Sequence, residues 1–187
     1  AVEAELWRTK SYLEMGQFER ATRELTNMSR SASLSSAQYA DVQAAQADAL
    51  LRAKKDTLAT KPLLRAIATE KSAIKRGRYA YLLGQVYEEL EFADSAMIAY
   101  GQVLDLNRRV PRELWIHARL AQLKNNPPND EETLKAYRKL LRSDEDRRFR
   151  DKIHYFYGAY LLKGMDTLNG EKAFNASLKT ETKDRYL

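Results

Sequence analysis

The sequence predicts an all-α protein built from successive helix–turn–helix pairs, which is the α-solenoid class. The 187 residues include only 7 Gly and 4 Pro, so long stretches contain no residue that breaks a helix. In addition, a glycine interrupts two similar apolar and aromatic helix patterns, Gly84 in YLLGQVYEEL and Gly158 in HYFYGAYLL. These glycines are 74 residues apart, the distance that two repeats of 37 residues, or one of about 34 and one of about 40, would give.

Ten helices are predicted from apolar residues at helical spacing and from the turn signals between them. The signals are MGQF after the first helix, LEFAD within the third pair and NNPPND at residues 125–130. Pro62 is expected in the first turn of its helix, where a missing N–H costs least. The predicted helices cover residues 3–15, 18–28, 36–54, 59–72, 78–90, 93–106, 112–124, 131–142, 147–163 and 170–180.

The helices follow a repeat of about 34 residues, which is typical of tetratricopeptide (TPR) repeats. If Gly77 is taken as position 1 of a repeat, five residues match the residue types that the TPR pattern has at positions 7, 8, 11, 20 and 24. These residues are Leu83, Gly84, Tyr87, Ala96 and Tyr100. Weaker matches start near residues 2, 41, 111 and 151. We therefore predict a right-handed TPR-like superhelix of about five helix pairs, with residues 1–187 forming a single array.

The glycine at position 8 is explained by packing between the two helices of one repeat. A side chain there would wedge the helices apart, so closer packing offsets the conformational cost of glycine. Gly84→Leu is therefore expected to be disruptive. Gly84→Ala is expected to be mild, because Ala118 occupies position 8 of the next repeat.

The chain is also expected to be a fragment of a longer protein. It begins at Ala1 and not at Met, and no amphipathic helix follows the last pair to cover its apolar side. Because the ends of a solenoid need a polar capping face, we expect exposed apolar surface within residues 153–178 and further repeats beyond Leu187.

The stretch RYAYLLGQVYEELEFADSAMIAYGQVLDLN, followed by VPRELWIHARL and then RDKIHYFYGAYLLKG, resembles the TPR lipoproteins of the Bacteroidetes type IX secretion and gliding-motility machinery, the PorW/SprE group. The resemblance covers residues 35–180. It implies an outer-membrane lipoprotein that faces the periplasm, with its lipidated cysteine upstream of this chain. It also implies an adaptor that links the secretion motor to other secretion components and touches the membrane only through that lipid anchor.

A second interpretation is a generic TPR module that binds peptides in an unknown pathway, with the cytosol left open as its compartment. A signal peptide ending in a lipobox cysteine, encoded upstream, would favour the first interpretation over the second. Both are non-catalytic scaffolds, since most TPR arrays hold a peptide or a partner helix on a concave surface.

The sequence gives no sign of an enzyme. His117 and His154 are the two candidates for a general base at neutral pH, and both fall at helix-packing positions of their repeats. Neither lies in an HExxH pattern, and no glycine-rich phosphate loop is present. The chain has 0 Cys, which removes thiolate metal sites and cysteine nucleophiles. We therefore expect no catalytic residues, no metal and no cofactor.

Residues 52–78 are strongly basic, with nine Lys/Arg against two acidic residues. A nucleic-acid surface would interleave such cations with aromatic rings, but no aromatic residue separates these charges before Tyr79, and the large apolar residues among them are Leu and Ile. Nucleic acid is therefore not expected as a partner. The simplest interpretation is a solvated helix face, while an acidic protein partner or a polyanionic surface stays open.

The predicted binding site is a groove lined by the first helix of each repeat, because positions 2, 5 and 9 lie on one side of that helix. Position 5 is aromatic in three successive repeats, as Tyr81, Trp115 and Tyr155. Position 2 is basic in the same repeats, as Arg78, Arg112 and Lys152, and position 9 adds Gln85 and Arg119. Such a groove would select a partner segment with Asp/Glu and one or two apolar anchors. Alternatively, the rings pack between adjacent helices and bind nothing.

Overall fold

The computed structural model describes residues 2–31 and 33–180, and within them it contains ten α-helices and no β-strand. The all-α class is therefore confirmed. Two short 3-10 helices, Asn107–Arg109 and Arg147–Phe149, lie between α-helices. The α-helices are α1 (Val2–Glu14), α2 (Phe18–Ser29), α3 (Ser36–Arg52), α4 (Asp56–Thr69), α5 (Ala73–Glu89), α6 (Ala93–Asp105), α7 (Arg112–Asn125), α8 (Glu131–Arg142), α9 (Arg150–Lys163) and α10 (Thr167–Lys179).

Several helices begin where a side chain caps the free backbone N–H groups of the first turn. Ser35 Oγ accepts from the Gln38 N–H at 3.3 Å, and Gln38 Oε1 accepts from the Ser35 N–H at 3.0 Å, which is a capping box at the start of α3. At α8, Asp130 Oδ2 accepts from the Thr133 N–H at 2.7 Å. These bonds fix the helix starts locally.

The turn inside each helix pair contains one residue whose backbone has a positive φ, in the left-handed helical region. These residues are Gly16, Lys54, Glu91, Asn129 and Met165, with φ of 73°, 58°, 60°, 60° and 64°. They are 38, 37, 38 and 36 residues apart along the chain. The same turn geometry therefore recurs in five helix pairs, although only one of the five residues is a glycine.

The position of Pro62 differs from the prediction. Because α4 begins at Asp56, Pro62 is the seventh helical residue and lies buried in the helix interior. A proline has no N–H for the carbonyl four residues earlier, so the carbonyl of Leu58 lacks its usual helical donor. The sequence signal was ambiguous, because the proline and the acidic residue at position 56 both mark a helix start.

The chain divides into two compact units, residues 1–114 and 115–187, with the division inside α7. In the first unit, Leu25 and Val42 belong to a core that joins α1, α2 and α3. A second core of this unit contains side chains from the four helices α3, α4, α5 and α6, and Leu63 is one of them. That all repeats form one array stays a prediction.

The second unit has its own core. Ile116, Tyr137, Ile153 and Tyr160 are buried together and join α7, α8 and α9, and α10 packs along α9. The Tyr160 hydroxyl also accepts from the Asp130 N–H at 2.9 Å and donates to the Pro127 carbonyl. The NNPPND loop is therefore held by a core side chain.

Gly84 makes room for an aromatic ring from the second helix of its repeat. A Cβ added at Gly84 would lie 2.7 Å from Cδ1 and Cζ of Tyr100, and closer still to Cε1. Tyr100 is fully buried, and the ring of Tyr81 lies 5.6 Å from it. The expectation that Gly84→Ala is mild is therefore wrong, because the site lacks space for a single carbon atom.

Gly158 serves a related purpose in the second unit. A Cβ there would lie 3.1 Å from the carbonyl oxygen of Gly170 and 3.1 Å from Cε1 of Phe174. Position 20 of this repeat is thus a glycine because the backbones of α9 and α10 come close together at this point. The aromatic residue at position 24, Phe174, again faces the glycine at position 8.

Candidate functional site

The eight residues predicted for the groove all lie on the first helix of a pair, and none of them is buried. Three are exposed, namely Arg78, Gln85 and Tyr155. The other five are half-buried, namely Tyr81, Arg112, Trp115, Arg119 and Lys152. The first unit holds Arg78, Tyr81, Gln85 and Arg112, and the second holds Trp115, Arg119, Lys152 and Tyr155. We describe each set within its own unit.

In the first unit, Tyr81 is engaged in packing within its repeat. Its ring lies 5.6 Å from that of Tyr100, with 49° between the planes. Burial raises the pKa of Tyr81 above its usual value, and Glu88 adds to this rise. This ring supports the side chain that fills the space at Gly84, so part of its role is structural.

In the second unit, the two aromatic residues differ in exposure. Trp115 is half-buried and packs against the core that contains Ile116. Tyr155 is 55% exposed, and its ring lies 5.7 Å from Phe156 and 5.7 Å from Phe174. Tyr155 therefore has a ring that neighbouring rings hold in place while much of its surface stays in solvent.

The cations of the second unit lie on the same two helices. Lys152 Nζ on α9 lies 3.2 Å from Nε2 of His117 on α7, within hydrogen-bond distance, and an ammonium group can only donate. Arg119 is half-buried, and its Nη1 donates to Oε1 of Gln122 at 2.7 Å. Burial lowers the pKa of Arg119 from its usual value, since the cation is partly removed from water.

Arg119 opens onto a cleft of about 300 Å³ between α7 and α8, which sequence reasoning did not predict. Lys139 lines the same cleft. The acidic lining residues are already engaged, because Asp130 accepts from Thr133 and Glu132 pairs with Lys135 at 3.1 Å. The described residues place no carboxylate within ion-pair distance of Arg119. The guanidinium group is thus available to an anionic group of a ligand.

The histidines do not form a recognisable catalytic arrangement. Burial lowers the pKa of His154, and the charge of Arg150 lowers it further, so the environment disfavours the charged imidazolium. Within residues 2–31 and 33–180, no three His, Cys, Asp or Glu side chains are close enough to hold a metal ion. In the same part of the chain, no helix is both long and apolar enough to cross a membrane.

No protein-family model and no curated protein sequence matches this chain. Solved structures do match it. One is a kinesin light chain-like protein of Podosopora anserina with nearly identical TPR-like repeats, which aligns over 100% of this chain and 97% of its own with a TM-score of 0.69 and 13% identity. A point variant of that protein aligns over 95% of this chain and 92% of its own, with a TM-score of 0.68 and 12% identity.

The fold is TPR-like. The alignment extends over almost the whole length of both chains, whereas the identity is so low that the likeness shows the fold alone. TPR-like folds are typical of protein-interaction scaffolds and are usually non-catalytic. Membership of the PorW/SprE group and a role in type IX secretion stay predictions, as does the absence of an enzymatic activity.

Proposed function

We propose that this protein is a non-catalytic TPR-like scaffold that binds a protein partner through the first helices of its repeats. The observation that carries this proposal is the set of accessible side chains on α7 and α9 of the second unit. Trp115 and Tyr155 provide aromatic surface, and Arg119 and Lys152 provide positive charge, with none of the four buried. Aromatic and arginine side chains are the usual anchors of protein interfaces.

The chemistry of these residues indicates an acidic partner segment with one or two apolar anchors. A carboxylate of the partner can enter the cleft beside Arg119, which is desolvated enough to strengthen a charge-assisted bond. An apolar side chain can pack on the exposed part of Tyr155. In the first unit, Arg78 and Gln85 are exposed on α5 and extend the same pattern of residue types.

A stepwise set of alanine variants tests this function. Tyr155→Ala alone removes an exposed ring, so it is expected to weaken capture of the partner while the melting temperature changes little. The triple replacement of Tyr81, Trp115 and Tyr155 by Ala should abolish capture, but it also removes packing at Tyr100 and in the core of the second unit. Partner capture and thermal melting are therefore measured together on both variants.

Trp7→Ala is the matched control, since Trp7 is 68% exposed on α1 and lies outside the predicted positions. This variant should capture the partner as the parent does. Unchanged capture by Tyr155→Ala and by the triple variant would contradict the proposed site. A large loss of stability with unchanged affinity would show that the rings belong to the core.

The finer proposal is that the partners are components of the type IX secretion machinery and that the protein is a periplasm-facing lipoprotein of the outer membrane. The sequence resemblance over residues 35–180 supports it. Photo-crosslinking from residue 155 in intact cells, followed by mass spectrometry, is expected to recover envelope secretion proteins. Recovery of cytosolic partners, or an upstream sequence without a lipobox cysteine, would instead favour a generic TPR module.

A further inference from the structure

The solvent-facing side of α4 combines positive charge with exposed leucines. At 100° per residue, its exposed residues fall within an arc of about 120°, opposite the buried side of the helix. We call this the α4 surface, and it consists of Thr57, Leu58, Lys61, Leu64, Arg65 and Ala68. Leu58 is 60% exposed and Leu64 45% exposed. No carboxylate lies on this side of the helix.

Most of the positive charge of residues 52–78, the segment that includes α4, is not neutralised by carboxylates of the described residues. Of the nine basic residues between 52 and 78, two form ion pairs. Arg52 pairs with Asp48 and Glu14, each at 3.0 Å, and Lys75 pairs with Asp41 at 2.8 Å and with Glu70 at 3.9 Å. The other seven have no carboxylate of the described residues within ion-pair distance, and they are Lys54, Lys55, Lys61, Arg65, Lys71, Arg76 and Arg78.

The two acidic residues of the segment compensate little of this charge, since Glu70 Oε2 lies 3.9 Å from the Nζ of Lys75, which is already paired with Asp41. Glu70 is 5% exposed, and its Oε1 accepts from the Ser72 N–H at 2.8 Å, so its carboxylate is turned away from solvent. Asp56 lies in the first turn of α4, where the helix dipole favours it. A surface with this much unpaired charge attracts a negatively charged partner.

The arrangement of side chains favours a protein over a nucleic acid. Nucleic-acid surfaces need aromatic rings that are free to stack on bases. The ring at this end of the segment, Tyr79, is half-buried, and its hydroxyl donates to Asp41 Oδ1 at 3.5 Å. The apolar side chains on α4 are leucines, which pack on aliphatic or aromatic groups of a protein.

The same arrangement disfavours a membrane surface. In a helix that lies in a membrane interface, the apolar residues form the centre of the inserted face and the Lys/Arg residues flank it. On the α4 surface the order is reversed. By the helical wheel, Lys61 and Arg65 lie between Leu58 on one edge and Leu64 on the other.

We propose that the α4 surface is a second docking site, which binds an acidic amphipathic helix of another protein. Carboxylates along the centre of that helix pair with Lys61 and Arg65, and apolar side chains at its edges pack on Leu58 and Leu64. With 14 residues, α4 is about 21 Å long, which matches a partner helix of about four turns. This site is independent of the residues proposed on α7 and α9.

The test uses a defined synthetic probe. A fluorescent helical peptide of about four turns carries Glu along the centre of one side and Leu at its edges. Two further peptides have the same composition in scrambled order or Lys in place of each Glu. Binding to the intact chain is measured by fluorescence anisotropy. The Glu peptide is expected to bind in a salt-sensitive manner and the scrambled peptide to bind much more weakly.

The variants separate charge from apolar contact. Lys61→Glu/Arg65→Glu is expected to weaken binding of the Glu peptide by about tenfold or more, and the same variant should now bind the Lys peptide. Leu58→Ser/Leu64→Ser should weaken binding several-fold. Arg138→Glu/Arg142→Glu on α8 is the matched control. It changes the net charge by the same amount, and its two positions are also exposed and four residues apart. This control should bind the Glu peptide as the parent does.

Three results would overturn the proposal, once circular dichroism has shown that each variant is folded. One is the absence of binding to the Glu peptide, and another is equal weakening by the α8 control. The third concerns vesicles of phosphatidylglycerol. It is the result in which the parent binds the vesicles but none of the peptides, and the Lys61→Glu/Arg65→Glu variant no longer binds the vesicles. That result would assign the surface to a membrane.

Discussion

At the scale of single residues, the space around a side chain decides what a substitution does. The contact between Gly84 and Tyr100 is the clearest case. Gly84→Ala is expected to lower the free energy of unfolding by about 1–3 kcal/mol, because overpacking outweighs the gain of about 1 kcal/mol in helix propensity. Urea unfolding of the parent and the variant measures this change.

Replacing the opposing ring provides the control for this prediction. Tyr100→Leu alone destabilises the protein by leaving a cavity, whereas adding Gly84→Ala to Tyr100→Leu should cost little or restore stability. Additive effects in this double-mutant cycle would show that the alanine does not collide with the ring.

Replacing Gln43 is expected to increase stability, whereas Gly84→Ala is expected to decrease it. The side chain of Gln43 is fully buried in α3, and neither its Nε2 nor its Oε1 has a hydrogen-bond partner. Gln43→Met has a similar shape and removes the unsatisfied amide, so it should raise the free energy of unfolding by about 1–3 kcal/mol. Gln46→Met is the matched control, since Gln46 Nε2 donates to Thr26 Oγ1 at 2.9 Å and its loss should destabilise. An unchanged stability of Gln43→Met would indicate that a buried water satisfies the amide.

At the scale of helices and turns, a residue with positive φ recurs in the turn of each helix pair. Glu91 has φ of 60° and is exposed, so its side chain is not needed for packing. A non-glycine residue in this region costs about 1–2 kcal/mol, whereas glycine adopts it freely at an entropic cost of about 0.5–1 kcal/mol. Glu91→Gly is therefore expected to raise the melting temperature slightly.

Glu89→Gly is the matched control for this turn, because Glu89 is exposed in the helical last turn of α5. There glycine should destabilise by about 1 kcal/mol. If both glycine variants lowered the melting temperature equally, the left-handed geometry of residue 91 would not be a source of strain.

At the scale of the whole molecule, charge affects stability as well as binding. The net charge is +6, and residues 54–78 alone hold seven basic residues that have no carboxylate of the described residues within ion-pair distance. Because salt screens repulsion between exposed charges over a Debye length of about 10 Å at 0.1 M, added NaCl should raise the melting temperature by a few degrees. The Lys61→Gln/Arg65→Gln variant should show a smaller increase in melting temperature with added NaCl. An equal increase in the parent and the variant would contradict this prediction.

Exposed apolar side chains were expected within residues 153–178, and Tyr155, Leu162, Met165, Leu168 and Leu178 are indeed exposed by 43–87%. The continuation of the repeats beyond Leu187 stays a prediction.

The sequence by itself determined the helical class, the pairing of helices and the TPR-like period. These features depend on local signals, namely apolar spacing, caps such as Ser35 and turns such as that at Gly16. It also located the basic segment and the residues at positions 2, 5 and 9, because a helix places those positions on one side whatever surrounds it.

Only the tertiary structure decided which of those side chains are available to a partner. Tyr81 and Tyr155 occupy the same repeat position, yet Tyr81 supports Tyr100 whereas Tyr155 stays largely in solvent. The burial of Gln43 and the collision that an alanine at Gly84 would cause are likewise set by other helices. The physical reason is that burial depends on residues distant in sequence, whereas helix formation depends on neighbours three and four residues away.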